Sequence, residues 1–78
     1  MNKIYYIEVD HGDPVKIDLS KVKSVRVEII PGEFGIPTRY YVFVNYHGKL
    51  ICDNLKEAEE SAMDIINKAR EYHKEMEI

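Results

Sequence analysis

The last third of the chain carries a single helical stripe of apolar residues and contains neither glycine nor proline. Asn54 stands just before this stripe, and Glu57 follows three residues later, a spacing typical of a helix-capping pair. The alternating spacing of three and four residues matches the period of an α-helix with one buried face. The stripe consists of Leu55, Ala58, Ala62, Ile65, Ala69, Tyr72 and Met76. The sequence therefore predicts one helix over residues 54–76.

The preceding residues alternate between apolar and polar side chains and are interrupted by clusters of Gly, Pro and polar residues, a pattern typical of strands and turns. Strands are predicted over residues 3–9, 15–19, 25–29, 39–46 and 49–52, with turns at 10–14, at Ser20-Lys21 and at His47-Gly48. A chain of 78 residues forms one domain. We expect an α+β fold over residues 1–78: an antiparallel β-meander of four to five strands over 3–52, followed by one long C-terminal helix packed on one face of the sheet.

Charge is distributed unevenly along the chain. Residues 1–52 carry seven basic and six acidic side chains, whereas residues 53–78 carry four basic and eight acidic ones, which gives the net charge of −3. Binding to duplex DNA depends on basic side chains that neutralise phosphates, so this balance argues against such a role. One cysteine, no signal-peptide pattern and no long apolar run predict a cytoplasmic protein without membrane contact.

The first and fourth predicted strands present apolar residues on both faces. In the fourth strand, Tyr40 and Val42 lie on one face, whereas Tyr41 and Phe43 lie on the other. One helix covers only one face of a sheet, so the opposite face needs another cover. We consider three solutions: a sheet that curls toward a barrel, two copies that pack face to face or edge to edge, or a patch that binds another molecule.

Phe34 and Ile36 are large apolar residues in a loop that is rich in Gly and Pro, where polar residues are usual. Two interpretations stay open. The loop folds back so that both side chains close the edge of the core, or the two side chains form a recognition tip that inserts into a partner.

These features predict a small non-catalytic protein-interaction module that forms a homodimer and binds a protein partner. Its interaction residues are predicted to be Phe34, Ile36, Arg39, Tyr40 and Tyr46. One alternative is a single-stranded nucleic-acid-binding sheet in which tyrosines stack on bases. The other is an acidic inhibitor or adaptor that docks a basic partner through the helix, using Glu57, Glu60, Asp64 and Glu71.

Residues with catalytic or metal-binding chemistry are few. His11, His47, His73 and Cys52 follow no zinc-site spacing, and we predict no metal, no cofactor and no enzymatic activity. Cys52 stands just before the helix, where a helix N-terminus lowers a thiol pKa, so a reactive thiol is one interpretation. A buried structural cysteine is the other.

The layout around Gly48-Lys49, a short strand and one long C-terminal helix is similar to two known folds. The pleckstrin-homology-like fold ends its barrel with such a helix but has seven strands. The single-stranded-DNA-binding coactivator fold is a sheet plus helix that dimerises, and this chain lacks its basic residues and glycine-rich segment. The resemblance is one of layout and implies no function.

Overall fold

The computed structural model describes residues 2–8, 13–45 and 48–76, with the side chains of residues 48 and 49 left aside. The strands are β1 (Ile4–Ile7), β2 (Val15–Asp18), β3 (Val25–Ile30), β4 (Arg39–Val44) and β5 (Gly48–Cys52), and the helix is α1 (Leu55–Met76). The predicted α+β class, the order of the elements and the long C-terminal helix on the sheet are confirmed. The predicted turns at 10–14 and at His47-Gly48 lie largely outside the described residues.

The five strands divide into two antiparallel sheets, β1-β2 and β3-β4-β5. A short 3-10 helix, Leu19–Lys21, replaces the predicted tight turn between β2 and β3. Its first residue is capped by Asp18, whose carboxylate accepts hydrogen bonds from the Ser20 backbone N–H at 3.0 Å and the Ser20 hydroxyl at 2.5 Å. These bonds hold the pKa of Asp18 below its usual range, and the positive charge of the Lys3 ammonium, 3.6 Å from the Asp18 carboxylate, acts in the same direction. The 3-10 helix lies between β2 and β3, and these two strands do not pair.

The helix packs its small residues against the three-stranded sheet. Ala58, Ala62, Ile65 and Ala69 are buried, as the stripe predicts, and alanines allow a close approach of helix and sheet. The ends of the stripe differ from the prediction, because Leu55 and Met76 are exposed. The rest of the buried cluster comprises Ile17, Leu19, Val42 and Leu50, so both sheets contribute to one core.

The start of α1 is capped as the sequence indicates. The Asn54 side-chain oxygen accepts a hydrogen bond from the backbone N–H of Glu57 at 2.9 Å. The Glu57 carboxylate reaches back to the backbone N–H of Asp53 at 3.2 Å, one residue before the cap. These two bonds satisfy backbone groups that a helix start otherwise leaves unpaired.

The sheet face opposite the helix is covered in part by its own side chains. The guanidinium of Arg26 lies 4.8 Å from the centre of the Phe43 ring, and the Tyr41 ring packs beside Phe43 with 6.0 Å between centres. Tyr41 is buried. The two-faced strand therefore has aromatic side chains on both sides: Tyr40 is half-buried on the helix side, and Tyr41 is buried on the other side beside Phe43 and Arg26.

A membrane-crossing helix is not found in the described part of the chain, since α1 lacks the necessary apolar length.

Candidate functional site

The β3–β4 hairpin ends in a group of four exposed apolar side chains. Relative exposure is 50% for Ile29, 46% for Ile30, 101% for Phe34 and 59% for Ile36. These four residues are called the apolar tip below. The exposure of Phe34 and Ile36 excludes the interpretation in which the loop folds back into the core. An apolar cluster that remains in water is typical of a binding surface.

The loop that carries Phe34 forms a closed turn. The backbone N–H of Ile36 donates to the carbonyl of Glu33 at 2.9 Å, and the two central residues have positive φ, 47° for Phe34 and 84° for Gly35. Positive φ at both central positions is the mark of a type I′ turn, which favours Asn-Gly. A side chain other than Gly or Asn in this conformation costs roughly 1–2 kcal/mol. The turn thus places an aromatic ring at its apex at a cost in stability.

The two arms of the loop touch behind this turn. A Cβ atom added to Gly32 would lie 2.1 Å from the carbonyl oxygen of Ile36, so only glycine allows the observed approach. The Gly32 backbone N–H also donates to the Thr38 hydroxyl at 3.2 Å. The apolar tip therefore stands on a loop whose shape is fixed by backbone contacts and hydrogen bonds.

Four of the five predicted interaction residues lie on this hairpin, and three of them, Phe34, Ile36 and Arg39, are exposed at its end. Arg39 is exposed and lies opposite Ile30 at the base of the loop, close to Phe34 and Ile36 in the chain. Tyr40 lies opposite Ile29 but is half-buried and packs against the core on the helix side. Tyr46 lies outside the described residues. The cluster therefore has Phe34 and Ile36 at its end and Arg39 at its base.

Ile29 and Ile30 were not predicted as site residues. The alternation of β3 predicts Ile29 on the buried face and does not mark Ile30 at all. The available signal was the break in alternation, because two isoleucines follow each other directly before a loop rich in Gly and Pro. In the structure the helix does not cover this end of the hairpin, and both side chains stay exposed.

The predicted acidic helix face contains two carboxylates that already have structural partners. Glu57 takes part in the helix cap, and Asp64 accepts a hydrogen bond from the Tyr5 hydroxyl. Glu60 is exposed and lies 4.0 Å from the ammonium of Lys56. Glu71 is exposed. Only part of this face is therefore open to a basic partner.

The tyrosines proposed to stack bases do not share one exposed surface. Tyr5 packs against the core, Tyr40 lies on the helix side of β4, and Tyr41 is buried on the opposite side. Tyr6 is exposed on β1, in the other sheet. This arrangement provides no continuous aromatic platform within the described residues.

The residues with metal or thiol chemistry lie apart from the hairpin tip. Cys52 is half-buried and packs against the core, and His73 is exposed on α1 with its ring edge-on to Tyr72 at 5.7 Å. His11 and His47 lie outside the described residues. Among residues 2–8, 13–45 and 48–76, no three His, Cys, Asp or Glu side chains are close enough to hold a metal ion.

A groove of about 540 Å³ runs between the start of β3 and the second half of α1. Its apolar floor includes Val22, Val25 and Ile66, and its remaining lining is polar or basic, including Lys23, Arg70, His73 and Lys74. This feature is called the cationic groove below. It concentrates positive charge on a chain whose net charge is −3.

Comparison with protein-family models, curated proteins and solved structures found no match to the chain.

Proposed function

We propose that the protein is a small non-catalytic interaction module that binds a protein partner through the apolar tip. The observation that carries this proposal is the strained turn that holds Phe34 fully exposed. Strain of this kind persists where the surrounding structure enforces it, and it is concentrated at functional sites. Asn at this position would relieve the strain, so the phenylalanine is best explained by a contact that it makes with a partner.

The chemistry of the tip resembles that of interface centres. A large aromatic side chain surrounded by aliphatic ones provides buried area, and a charge at the rim provides orientation. Phe34 is the aromatic anchor, Ile29, Ile30 and Ile36 are exposed aliphatic side chains at the same end of the hairpin, and Arg39 is the charge at the rim. We propose self-association as one use of this surface. We also propose a cytoplasmic location, where the single thiol of Cys52 stays reduced.

A photocrosslinking experiment tests this proposal directly. A benzophenone amino acid replaces Phe34 in the full chain, which is then irradiated in the cells that produce it. The matched control places the same group at Tyr6, which is 60% exposed and lies on the other sheet. We expect covalent adducts of defined mass from position 34 and not from position 6. The proposal is wrong if position 34 gives no adduct, or if both positions give the same adducts.

A further inference from the structure

The outer edge of β3 is open within the described residues. β3 is the terminal strand of the three-stranded sheet and pairs only with β4. The other terminal strand, β5, is placed differently, because Ile51 and Cys52 share a cleft with Ile7 at the end of β1 and with Glu8, which follows it. The six residues of β3 include no proline, and Ile29 and Ile30 are exposed. An open edge of this kind can pair with another strand.

The backbone direction along β3 shows which residues face the open edge. The Asn45 backbone N–H donates to the Ser24 carbonyl at 2.7 Å, so the backbone carbonyl of Ser24 points toward the β4 side. Backbone groups alternate in direction along an antiparallel pair. Val25, Val27 and Ile29 therefore direct their N–H and C=O groups away from β4. A second strand would pair with these three residues.

We propose that the partner of the β3 edge is a second copy of this chain, paired antiparallel about a twofold axis at Val27. The two three-stranded sheets then form one sheet of six strands. In this register Val25 lies opposite Ile29 of the second copy, and Arg26 lies opposite Glu28 of the second copy. The two apolar pairs lie on the helix side, and the two opposite-charge pairs lie on the other side.

The neighbouring registers bring like charges together. Only registers centred on a residue keep the helices of both copies on the same side of the sheet. A centre at Arg26 places Arg26 opposite Arg26, and a centre at Glu28 places Glu28 opposite Glu28; like charges directly opposite each other are destabilising. Of these three registers, only the one at Val27 pairs opposite charges within β3. This self-complementary order of charge is the property expected of a twofold interface.

The same register brings the apolar tip toward the cationic groove. Ile30 lies opposite Ser24 of the second copy, so the residues after Ile30 run past Lys23 and Val22 of the second copy. Those two residues line the groove, together with Arg70, His73 and Lys74. The apolar tip supplies apolar side chains and its loop supplies the exposed carboxylate of Glu33, which match an apolar floor and a basic wall.

This inference rests on the proposed function and names the partner. Its test is a charge exchange across the twofold axis. Arg26→Glu alone places two glutamates opposite each other in both charge pairs, and Glu28→Arg alone places two arginines opposite each other. We expect each variant to raise the dimer Kd roughly tenfold or more in sedimentation velocity at low salt. An equimolar mixture pairs opposite charges again, and native mass spectrometry should show the mixed dimer in excess of either homodimer.

Circular dichroism of each variant verifies folding. Glu59→Arg, on the exposed surface of the first half of α1, is the matched control, with the same charge change as Glu28→Arg and an unaltered Kd. A wild-type chain that stays monomeric at its highest soluble concentration overturns the inference. A dimer whose Kd is unchanged by both Arg26→Glu and Glu28→Arg also overturns it, as does an equimolar mixture of the two variants that forms no excess of mixed dimer. If position 34 nevertheless crosslinks to a different protein, the proposed function stands and only this partner is wrong. If the charge exchange succeeds and position 34 gives no adduct, the proposed role of the tip is wrong.

Discussion

The hydroxyl of Tyr5 donates a hydrogen bond to the carboxylate of Asp64, which joins β1 to the middle of α1. The Lys68 ammonium lies 6.0 Å from the centre of the Tyr5 ring. The hydrogen bond to Asp64, partial burial and the charge of Asp64 together raise the pKa of Tyr5 to about 12. This contact connects the two-stranded sheet to the helix that the three-stranded sheet also contacts, so it links the two sheets through α1.

Tyr5→Phe removes this hydrogen bond and keeps the ring. We expect the free energy of unfolding at neutral pH to fall by about 1 kcal/mol. Because the pKa of Tyr5 in the folded chain, about 12, exceeds the ordinary value of 10.0, the bond stabilises the wild type fully below pH 10 and its contribution is lost as the pH rises to about 12. Urea unfolding of both proteins across this range measures the difference.

A titration followed by tyrosinate absorbance gives an independent measure of the same contact. The wild type should show a late ionisation phase from Tyr5, whose pKa is raised to about 12, and Tyr5→Phe should lack this phase. Tyr6→Phe removes a phenol from the exposed side of β1 and should retain the late phase. Late ionisation that persists in Tyr5→Phe would contradict the assignment.

Phe34→Asn should separate stability from binding. Asn tolerates positive φ and favours the first central position of a type I′ turn before Gly35. We expect the free energy of unfolding to rise by about 1 kcal/mol, because asparagine relieves the backbone strain at position 34. We expect self-association, measured by sedimentation velocity, to weaken because the aromatic anchor is gone.

Ile36→Asn is the matched control for that separation. Its side chain belongs to the same apolar tip, but its backbone does not adopt a positive φ. We expect weaker self-association without a gain in stability. Equal stabilisation by both substitutions would show that the turn at Phe34 is not strained.

The order of elements followed from the sequence because the alternating pattern of strands gives way once, near residue 52, to the helical pattern. Gly and Pro also mark most turns. The split into two sheets did not follow, since a 3-10 helix lies between β2 and β3 where the sequence predicts a tight turn. Phe34 and Ile36 stood out because apolar residues in a Gly- and Pro-rich loop are unusual. The exposure of Ile29 depends on how far the helix reaches along the sheet, and no local pattern encodes that distance.

Asn45 fixes the segment between the 3-10 helix and β3, a role that its sequence context does not show. Its side-chain oxygen accepts from the backbone N–H groups of Lys23 at 2.8 Å and Ser24 at 3.2 Å. Its side-chain nitrogen donates to the Lys21 carbonyl at 2.9 Å, and its φ is 59°. Asn45→Ala should lower the free energy of unfolding by about 2 kcal/mol, the sum of lost bonds and a strained φ.

Asn45→Gly distinguishes the two contributions. Glycine accepts the positive φ but makes none of the three side-chain hydrogen bonds. We expect Asn45→Gly to be less destabilising than Asn45→Ala in urea unfolding. Equal losses for the two variants would show that the hydrogen bonds alone account for the effect. Because residues 22–25 line the cationic groove, both variants should also alter the amide chemical shifts there.

Gly32→Ala tests whether the shape of the loop presents the apolar tip. The added Cβ would lie 2.1 Å from the Ile36 carbonyl oxygen and 2.7 Å from the backbone nitrogen of Thr38, so the two arms must separate. We expect a loss of about 1–3 kcal/mol in the free energy of unfolding, as for other overpacked sites. Gly32→Ala should also lower the yield of crosslinked adducts from position 34, because the loop no longer holds the apolar tip in place. At Gly35 an added Cβ meets no atom within 4 Å, so Gly35→Ala carries only the cost of a φ of 84°. If Gly32→Ala disturbs amide shifts over residues 31–38 no more than Gly35→Ala does, the contact between the arms does not hold the tip.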